Sequence, residues 1–132
     1  MRRKRRILVI DDNNTLRDSL RRTLAKEGHE VVAAPSAEEG LGLVLGHLFD
    51  LILVDLKLPL NDGDAFVRQV RSLGCRSEII MMTGSEGIDP EALAKSVGAR
   101  TMIFKGSDFI NDVKGAVREI LSTPQQIPET AN

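Results

Sequence analysis

Five short apolar runs alternate with five amphipathic segments in this chain, and no other feature constrains the fold as strongly. The runs are rich in Val, Ile and Leu, as parallel strands covered on both faces must be. They occupy residues 6–12, 30–35, 50–55, 78–84 and 100–105. Because strand–helix–strand units cross over with one hand, the alternation predicts a single parallel sheet with helices on both faces.

Each amphipathic segment is preceded by a residue typical of a helix N-cap. The candidates are Asn13 or Asn14, Ser36, Asn61 or Asp62, Asp89, and Ser107 or Asp108. Gly28 and Gly98 follow the first and fourth helices, as glycines at helix C-termini commonly do. The second helix, at about 37–47, contains three glycines that each cost roughly 1 kcal/mol relative to alanine, so we expect it to be the least rigid.

Composition divides the 132 residues into three parts. Residues 1–5 form a basic arm, 6–122 a single globular domain, and 123–132 a polar tail or linker stub. The arm is either a solvated extension or a contact for nucleic acid or an acidic partner. We expect no direct nucleic-acid binding by the domain, since the chain has no Trp or Tyr and four Phe.

Cysteine content and hydropathy indicate where the protein works. A single cysteine, Cys75, excludes an internal disulfide and fits a reducing compartment. No apolar run approaches the roughly 18 residues needed to cross a membrane. The basic start leads into only a short apolar segment, unlike a signal peptide. We therefore expect a cytoplasmic protein without a membrane partner.

Four of the five strand candidates end in polar or charged residues. These are Asp11 and Asp12, Asp55, Thr83 and Lys105. In an open parallel sheet the carboxyl ends of the strands meet at one edge, where ligands bind. The sequence therefore predicts that these side chains converge at one site.

The residue types at this edge indicate a particular chemistry. Carboxylates 4 Å apart repel by about 4 kcal/mol per pair at an effective dielectric near 20. A divalent cation relieves this repulsion, and carboxylate oxygens with several waters suit Mg²⁺. With Lys105 as a second cation, Thr83 as a hydroxyl donor and Asp55 as a nucleophile, such a site suits phosphoryl transfer.

The pattern resembles the receiver domain of bacterial two-component response regulators over about residues 5–122. The resemblance rests on the acidic pair after strand one, on Asp55 with the following LKLPLNDG, on Thr83-Gly84 and on Lys105. It implies an α/β, flavodoxin-like (βα)5 fold, with a doubly wound parallel sheet of strand order 2-1-3-4-5.

The resemblance also implies the metal ligands. Asp12 and Asp55 would bind Mg²⁺ together with the backbone carbonyl of Lys57, and Asp11 would assist through water. Asp55 would accept a phosphoryl group from a phosphohistidine on a sensor histidine kinase or a phosphotransfer protein.

The remaining roles follow from the same resemblance. Thr83 would hydrogen-bond a phosphoryl oxygen, and Lys105 would pair with the phosphoryl group. Water would later cleave the acyl phosphate, so the domain would promote only its own phosphorylation and dephosphorylation and would not be an enzyme. The fourth helix, fifth strand and fifth helix would switch binding to an unknown output partner or domain, and a homodimer is compatible with the family.

Three positions depart from the family pattern. Gly106 stands where the family generally has a proline after a cis bond, and we predict a trans bond because a non-proline cis bond costs about 3–4 kcal/mol. Met102 stands where an aromatic residue usually couples to the threonine, so we expect that coupling to be absent. We place Phe104 in the core. Lys57 is either solvated or acts on the phosphoryl oxygens or the attacking water.

Three alternatives remain in view. The departures slightly favour a receiver-like interaction module that no longer uses phosphorylation, although the intact acids argue against it. A phosphatase with an aspartyl nucleophile would carry its second acid two positions after the first, whereas Asp11 and Asp12 are adjacent. A nucleotide-binding domain would need a glycine-rich loop after strand one. The sequence does not separate a stand-alone regulator from part of a longer protein.

Overall fold

The computed structural model describes residues 4–59, 62–85 and 89–122. The strands are β1 (Arg6–Ile10), β2 (Glu30–Ala34), β3 (Leu51–Asp55), β4 (Glu78–Thr83) and β5 (Thr101–Phe104). The helices are α1 (Asn14–Lys26), α2 (Ala37–Gly46), α3 (Gly63–Ser72), α4 (Pro90–Val97) and α5 (Phe109–Ser122). The predicted tail, the first three residues of the predicted arm and the candidate cap Asn61 lie outside the described residues.

The five strands form one parallel sheet in the order β2-β1-β3-β4-β5. This topology confirms the predicted α/β fold and strand order. All five strands are one or two residues shorter than predicted, because residues at the ends of the apolar runs already belong to the loops. Asp11, Asp12 and Lys105 therefore lie just beyond their strands. None of the helices in the described ranges is long and apolar enough to span a membrane.

The core has two layers, one on each face of the sheet. In β3, Ile52 and Val54 pack with α2, α3 and α4, whereas Leu51 and Leu53 pack with α1 and α5. Since successive strand side chains point to opposite faces, β3 must be apolar at every interior position. All five of its residues are buried, including Asp55 at its carboxyl end.

Local signals explain most helix boundaries. The Asn13 side chain accepts a hydrogen bond from the backbone N–H of Leu16 at 3.0 Å, which caps α1. Gly98 adopts a φ of 94° after α4, a conformation that favours glycine. In α2, a Cβ on Gly40 would overlap the side chain of Ile10. This glycine therefore allows α2 to approach β1 closely, in addition to its cost in helix propensity.

Candidate functional site

The carboxyl edge of the sheet brings together the side chains predicted from the strand ends. The carboxylate oxygens of Asp11, Asp12 and Asp55 offer ligand atoms within 4.8 Å of one another. Asp11 is fully buried, Asp55 is 6% exposed and Asp12 is exposed. Two of the three acids therefore sit in a poorly hydrated environment, and the third faces solvent.

Lys105 lies between the two buried acids. Its Nζ is 2.9 Å from Oδ2 of Asp11 and 3.1 Å from Oδ2 of Asp55. Burial disfavours the charge of Lys105, but its hydrogen bond to Asp11 and the charges of both acids outweigh that effect and raise its pKa. The lysine therefore stays protonated and shares one positive charge between two carboxylates.

Asp55 is the less favourably placed partner of this lysine. Burial and the negative charge of Asp11 raise the pKa of Asp55, against the opposing effects of Lys105 and of a hydrogen bond from the backbone of Lys57. The pKa values of Lys105 and Asp55 are both raised, and the two shifts are consistent with each other. Lys105 faces two anions, whereas Asp55 faces one cation and one anion. Local negative charge remains in excess at the site.

Thr83 ends β4 beside this cluster and is 1% exposed. Its hydroxyl oxygen accepts a hydrogen bond from the backbone N–H of Ser85 at 3.0 Å, so the hydroxyl proton remains available to an incoming oxygen. Its carbonyl accepts a hydrogen bond from the N–H of Lys105 at 2.7 Å. The threonine and the lysine are therefore tied together through the backbone.

The loop after β1 is fixed by a residue that sequence reasoning missed. Arg17 donates from Nη1 to the carbonyl of Asp11 at 2.8 Å and from Nη2 to the side chain of Asn14 at 2.6 Å. The backbone N–H of Asn13 donates to Oδ1 of Asp11 at 2.9 Å. Asp11 therefore has partners on both its carboxylate and its carbonyl. Helical spacing places Arg17 off the apolar stripe, and that spacing contains no signal for this contact.

The loop after β3 returns to the strand at Gly63. The N–H of Gly63 donates to the carbonyl of Leu56 at 2.8 Å. A Cβ at this position would overlap the carbonyl oxygen of Asp55. The glycine therefore lets the start of α3 press against the backbone of Asp55, which explains why the LKLPLNDG segment ends in glycine.

The three departures from the family pattern have separate outcomes. Every described peptide bond is trans, which confirms the prediction for the 105–106 bond. Met102 is buried at 6% exposure in the core between the sheet and α4. Phe104, which we placed in the core, is 41% exposed, so that prediction was wrong. It lies on the same strand face as Met102 but at the end of an edge strand, outside the packed core. The side chain of Lys57 is exposed, and its role stays a prediction.

The residues at this site fit a magnesium ion. Three carboxylates supply oxygen ligands, which Mg²⁺ prefers, and the exposure of Asp12 leaves room for the water ligands that Mg²⁺ usually retains. Lys105 neutralises only one of the three negative charges. A divalent cation would neutralise the remaining two.

A family model described as the response regulator receiver domain matches residues 7–116. The response regulator MprA of Mycobacterium sp. (strain KMS) is 34% identical over 94 residues, which is 71% of this chain and 41% of MprA. The chain spans less than half the length of the curated relatives that it matches.

Solved structures show the same similarity. The CheY-like receiver domain protein of Methanospirillum hungatei JF-1 has a TM-score of 0.83 at 31% identity and covers 91% of this chain and 95% of its own. The response regulator protein TrrA of Thermotoga maritima, in complex with Mg²⁺-BeF, has a TM-score of 0.78 at 26% identity, with 88% and 98% covered.

The fold and the site together define a doubly wound α/β domain that presents its functional groups at the carboxyl edge of the sheet. The chain belongs to the response regulator receiver domain family, whose members are signalling domains of two-component systems.

Proposed function

We propose that Asp55 accepts a phosphoryl group from a phosphohistidine on a sensor histidine kinase or a histidine phosphotransfer protein. The convergence of the three acids with Lys105 carries this proposal, because it joins an oxygen nucleophile to a cation that can pair with phosphoryl oxygens. Family membership supports it. Thr83 and Lys105 are the two further residues that we assign to the reaction.

In the proposed transfer, an Oδ atom of Asp55 forms a bond to phosphorus while the phosphorus–nitrogen bond of the phosphohistidine breaks. The electron pair of that bond stays on the imidazole nitrogen, and the product is an acyl phosphate. Lys105 already faces Asp55 and pairs with an oxygen of the arriving group, while the Thr83 hydroxyl donates to another. Both interactions stabilise charge on the equatorial oxygens.

Asp12 and Asp55 would hold Mg²⁺ with the backbone carbonyl of Lys57, and Asp11 would act through water. When bound, the ion supplies positive charge to the phosphoryl oxygens. The carboxylate cluster supports this assignment, as does the relative that was solved with Mg²⁺-BeF.

The acyl phosphate would later be cleaved by water, so the modification would be transient. The domain would act on its own phosphoryl group alone. Phosphorylation would change binding to an output partner or domain through α4, β5 and α5, and a homodimer is one form this output could take. We propose that the protein works in the cytoplasm.

The decisive experiment incubates the chain with Mg²⁺ and acetyl phosphate or phosphoramidate and then measures the intact mass. We expect the mass to rise by one phosphoryl group in the wild type and in Asp112→Asn, an exposed acid on α5. We expect no increase in Asp55→Asn or after removal of Mg²⁺ with a chelator. A wild type that stays unmodified over a range of donor concentrations would favour an interaction module that no longer uses phosphorylation.

A further inference from the structure

Phe104 packs against Gly106, across the residue that carries the catalytic cation. A Cβ on Gly106 would lie 3.1 Å from both Cδ2 and Cε2 of the Phe104 ring. This distance is shorter than ordinary contacts between carbon atoms, so the ring occupies space that a residue with a side chain would fill. The partly exposed ring therefore has a defined partner on the far side of Lys105.

The backbone between these two residues forms a three-residue turn centred on Lys105. The N–H of Gly106 donates to the carbonyl of Phe104 at 2.9 Å, which is the hydrogen bond of a γ-turn. The N–H of Lys105 donates to the carbonyl of Thr83 at 2.7 Å. The carbonyl of Gly106 accepts from Phe109 at 3.2 Å, at the start of α5. The turn is therefore fixed to β4 on one side and to α5 on the other.

A proline at position 106 has no N–H and could not close this turn. Where the family pattern places a proline after the lysine, this chain therefore has a different backbone arrangement at Lys105. The arrangement has two parts, a backbone hydrogen bond from Gly106 and an aromatic ring beside the position that a Cβ on Gly106 would take.

We infer that Phe104 and Gly106 are positioning residues for Lys105. The ring seated on the glycine stabilises the turn, and the turn directs Nζ to its place between Asp11 and Asp55. The inference rests on the proposed function, since the position of Lys105 affects the reaction only if a phosphoryl group is transferred.

The first test measures the initial rate of phosphorylation by acetyl phosphate at saturating Mg²⁺. We expect Phe104→Ala to slow the reaction about three- to tenfold, because a small displacement of a catalytic group has effects of this size or larger. Phe104→Tyr should keep nearly the wild-type rate, since a ring that is 41% exposed allows a hydroxyl to reach water. Leu73→Ala removes a side chain that is 55% exposed from a different loop and should leave the rate unchanged.

A second test asks whether the ring acts through the lysine. In a Lys105→Ala background, Phe104→Ala should cause no further loss of rate, because the group that it positions is absent. If instead the two losses multiply, the ring has another role and the inference is wrong.

A third test adds a side chain at position 106, where the Phe104 ring occupies the space. Gly106→Ala should slow the reaction, because the new Cβ displaces the ring. The double variant Phe104→Ala with Gly106→Ala should be no slower than Phe104→Ala alone. A Gly106→Ala protein that reacts at the wild-type rate would show that the contact does not position Lys105.

A measurement without phosphodonor separates this inference from the proposed function. The ¹⁵N resonance of Lys105 Nζ, assigned by its loss in Lys105→Arg, should shift in Phe104→Ala and stay near its wild-type value in Phe104→Tyr and Leu73→Ala. An unchanged resonance in Phe104→Ala would overturn the inference even if the wild type is phosphorylated. If the wild type is never phosphorylated, the proposed function fails, and a shifted resonance still shows that the ring positions the lysine.

Discussion

The ammonium group of Lys105 lies 2.9 Å from Oδ2 of Asp11, a carboxylate with no exposed surface. The same ammonium group is 3.1 Å from Oδ2 of Asp55. One cation therefore compensates two acids that are almost removed from water. We therefore expect the stability of the fold and the proposed chemistry of the site to depend on the same ion pairs.

Replacing Lys105 should destabilise the metal-free protein. We expect Lys105→Met to lower the free energy of unfolding by about 3 kcal/mol, because it leaves two buried carboxylates without their cation. The raised pKa of Lys105 means that this contribution is present at neutral pH and is lost as the pH rises through that pKa. Urea unfolding with and without a chelator measures the effect.

The control is Lys95→Met on α4, which removes an exposed lysine and should change stability by less than about 0.5 kcal/mol. Added Mg²⁺ should recover part of the loss in Lys105→Met, because a ligand that binds only the folded state stabilises it. Equal stabilities of Lys105→Met and Lys95→Met would show that the ion pair contributes nothing.

Neutralising Asp55 should have the opposite effect. The raised pKa of Asp55 shows that its surroundings disfavour the charged form. Asp55→Asn should therefore increase the free energy of unfolding of the metal-free protein at pH 7, because it removes the disfavoured charge. Thermal or urea unfolding of the two proteins provides the comparison.

The pH dependence of the difference in free energy of unfolding between Asp55→Asn and the wild type is a stricter test. Because the folded-state pKa of Asp55 is raised, the cost of its charge is complete above that pKa and absent below the ordinary value of 3.8. The advantage of Asp55→Asn should shrink as the pH falls from 7 toward 4. An advantage that is constant over this range would have to arise from packing.

Much of this site was predictable because a parallel sheet converts sequence order into spatial convergence. The alternation of strands and helices defines the parallel sheet, and the residues that follow the strands lie together at its carboxyl edge. Asp55 and Lys105 are 50 positions apart in the sequence, yet their proximity follows from the order of the strands and does not require the paths of the loops.

Contacts that depend on the path of a loop were not predictable. Strand periodicity shows which face Phe104 occupies, but not that the core ends before it. Helical spacing shows that Arg17 leaves the apolar stripe, but not that its guanidinium turns back to the carbonyl of Asp11. The need for a glycine at position 63 arises from the closeness of the Asp55 carbonyl, which only the folded backbone shows.

Gly63 should tolerate no side chain. Gly63→Ala places a Cβ on the carbonyl oxygen of Asp55. Backbone atoms cannot move away as easily as the end of a flexible side chain, so the end of β3 or the start of α3 must shift. We expect a loss of about 1–3 kcal/mol in the free energy of unfolding and a phosphorylation rate reduced about tenfold. Unfolding and acetyl phosphate kinetics on the same sample measure both.

The matched control is Gly42→Ala in α2, where no atom outside the neighbouring residues and the local helix backbone lies within 4 Å of the new Cβ. This change should stabilise the protein by about 0.5–1 kcal/mol, because alanine has the higher helix propensity. A Gly63→Ala protein as stable and as reactive as the wild type would show that the loop after β3 adapts at no cost.

Lys57 provides a test of how long the phosphoryl group persists. It lies two residues after Asp55, its side chain is exposed, and its backbone donates a hydrogen bond to the Asp55 carboxylate. We expect Lys57→Ala to lose the phosphoryl group about three times faster than the wild type, because removal of the cation gives water easier access; a factor of three corresponds to about 0.7 kcal/mol in the barrier. The decay of phosphorylated protein after removal of the donor, followed by intact mass, measures this rate.

The control is Lys26→Ala, which removes an exposed lysine at the end of α1 and should decay as the wild type does. Identical decay in all three proteins would leave Lys57 as a solvated residue without a part in the reaction.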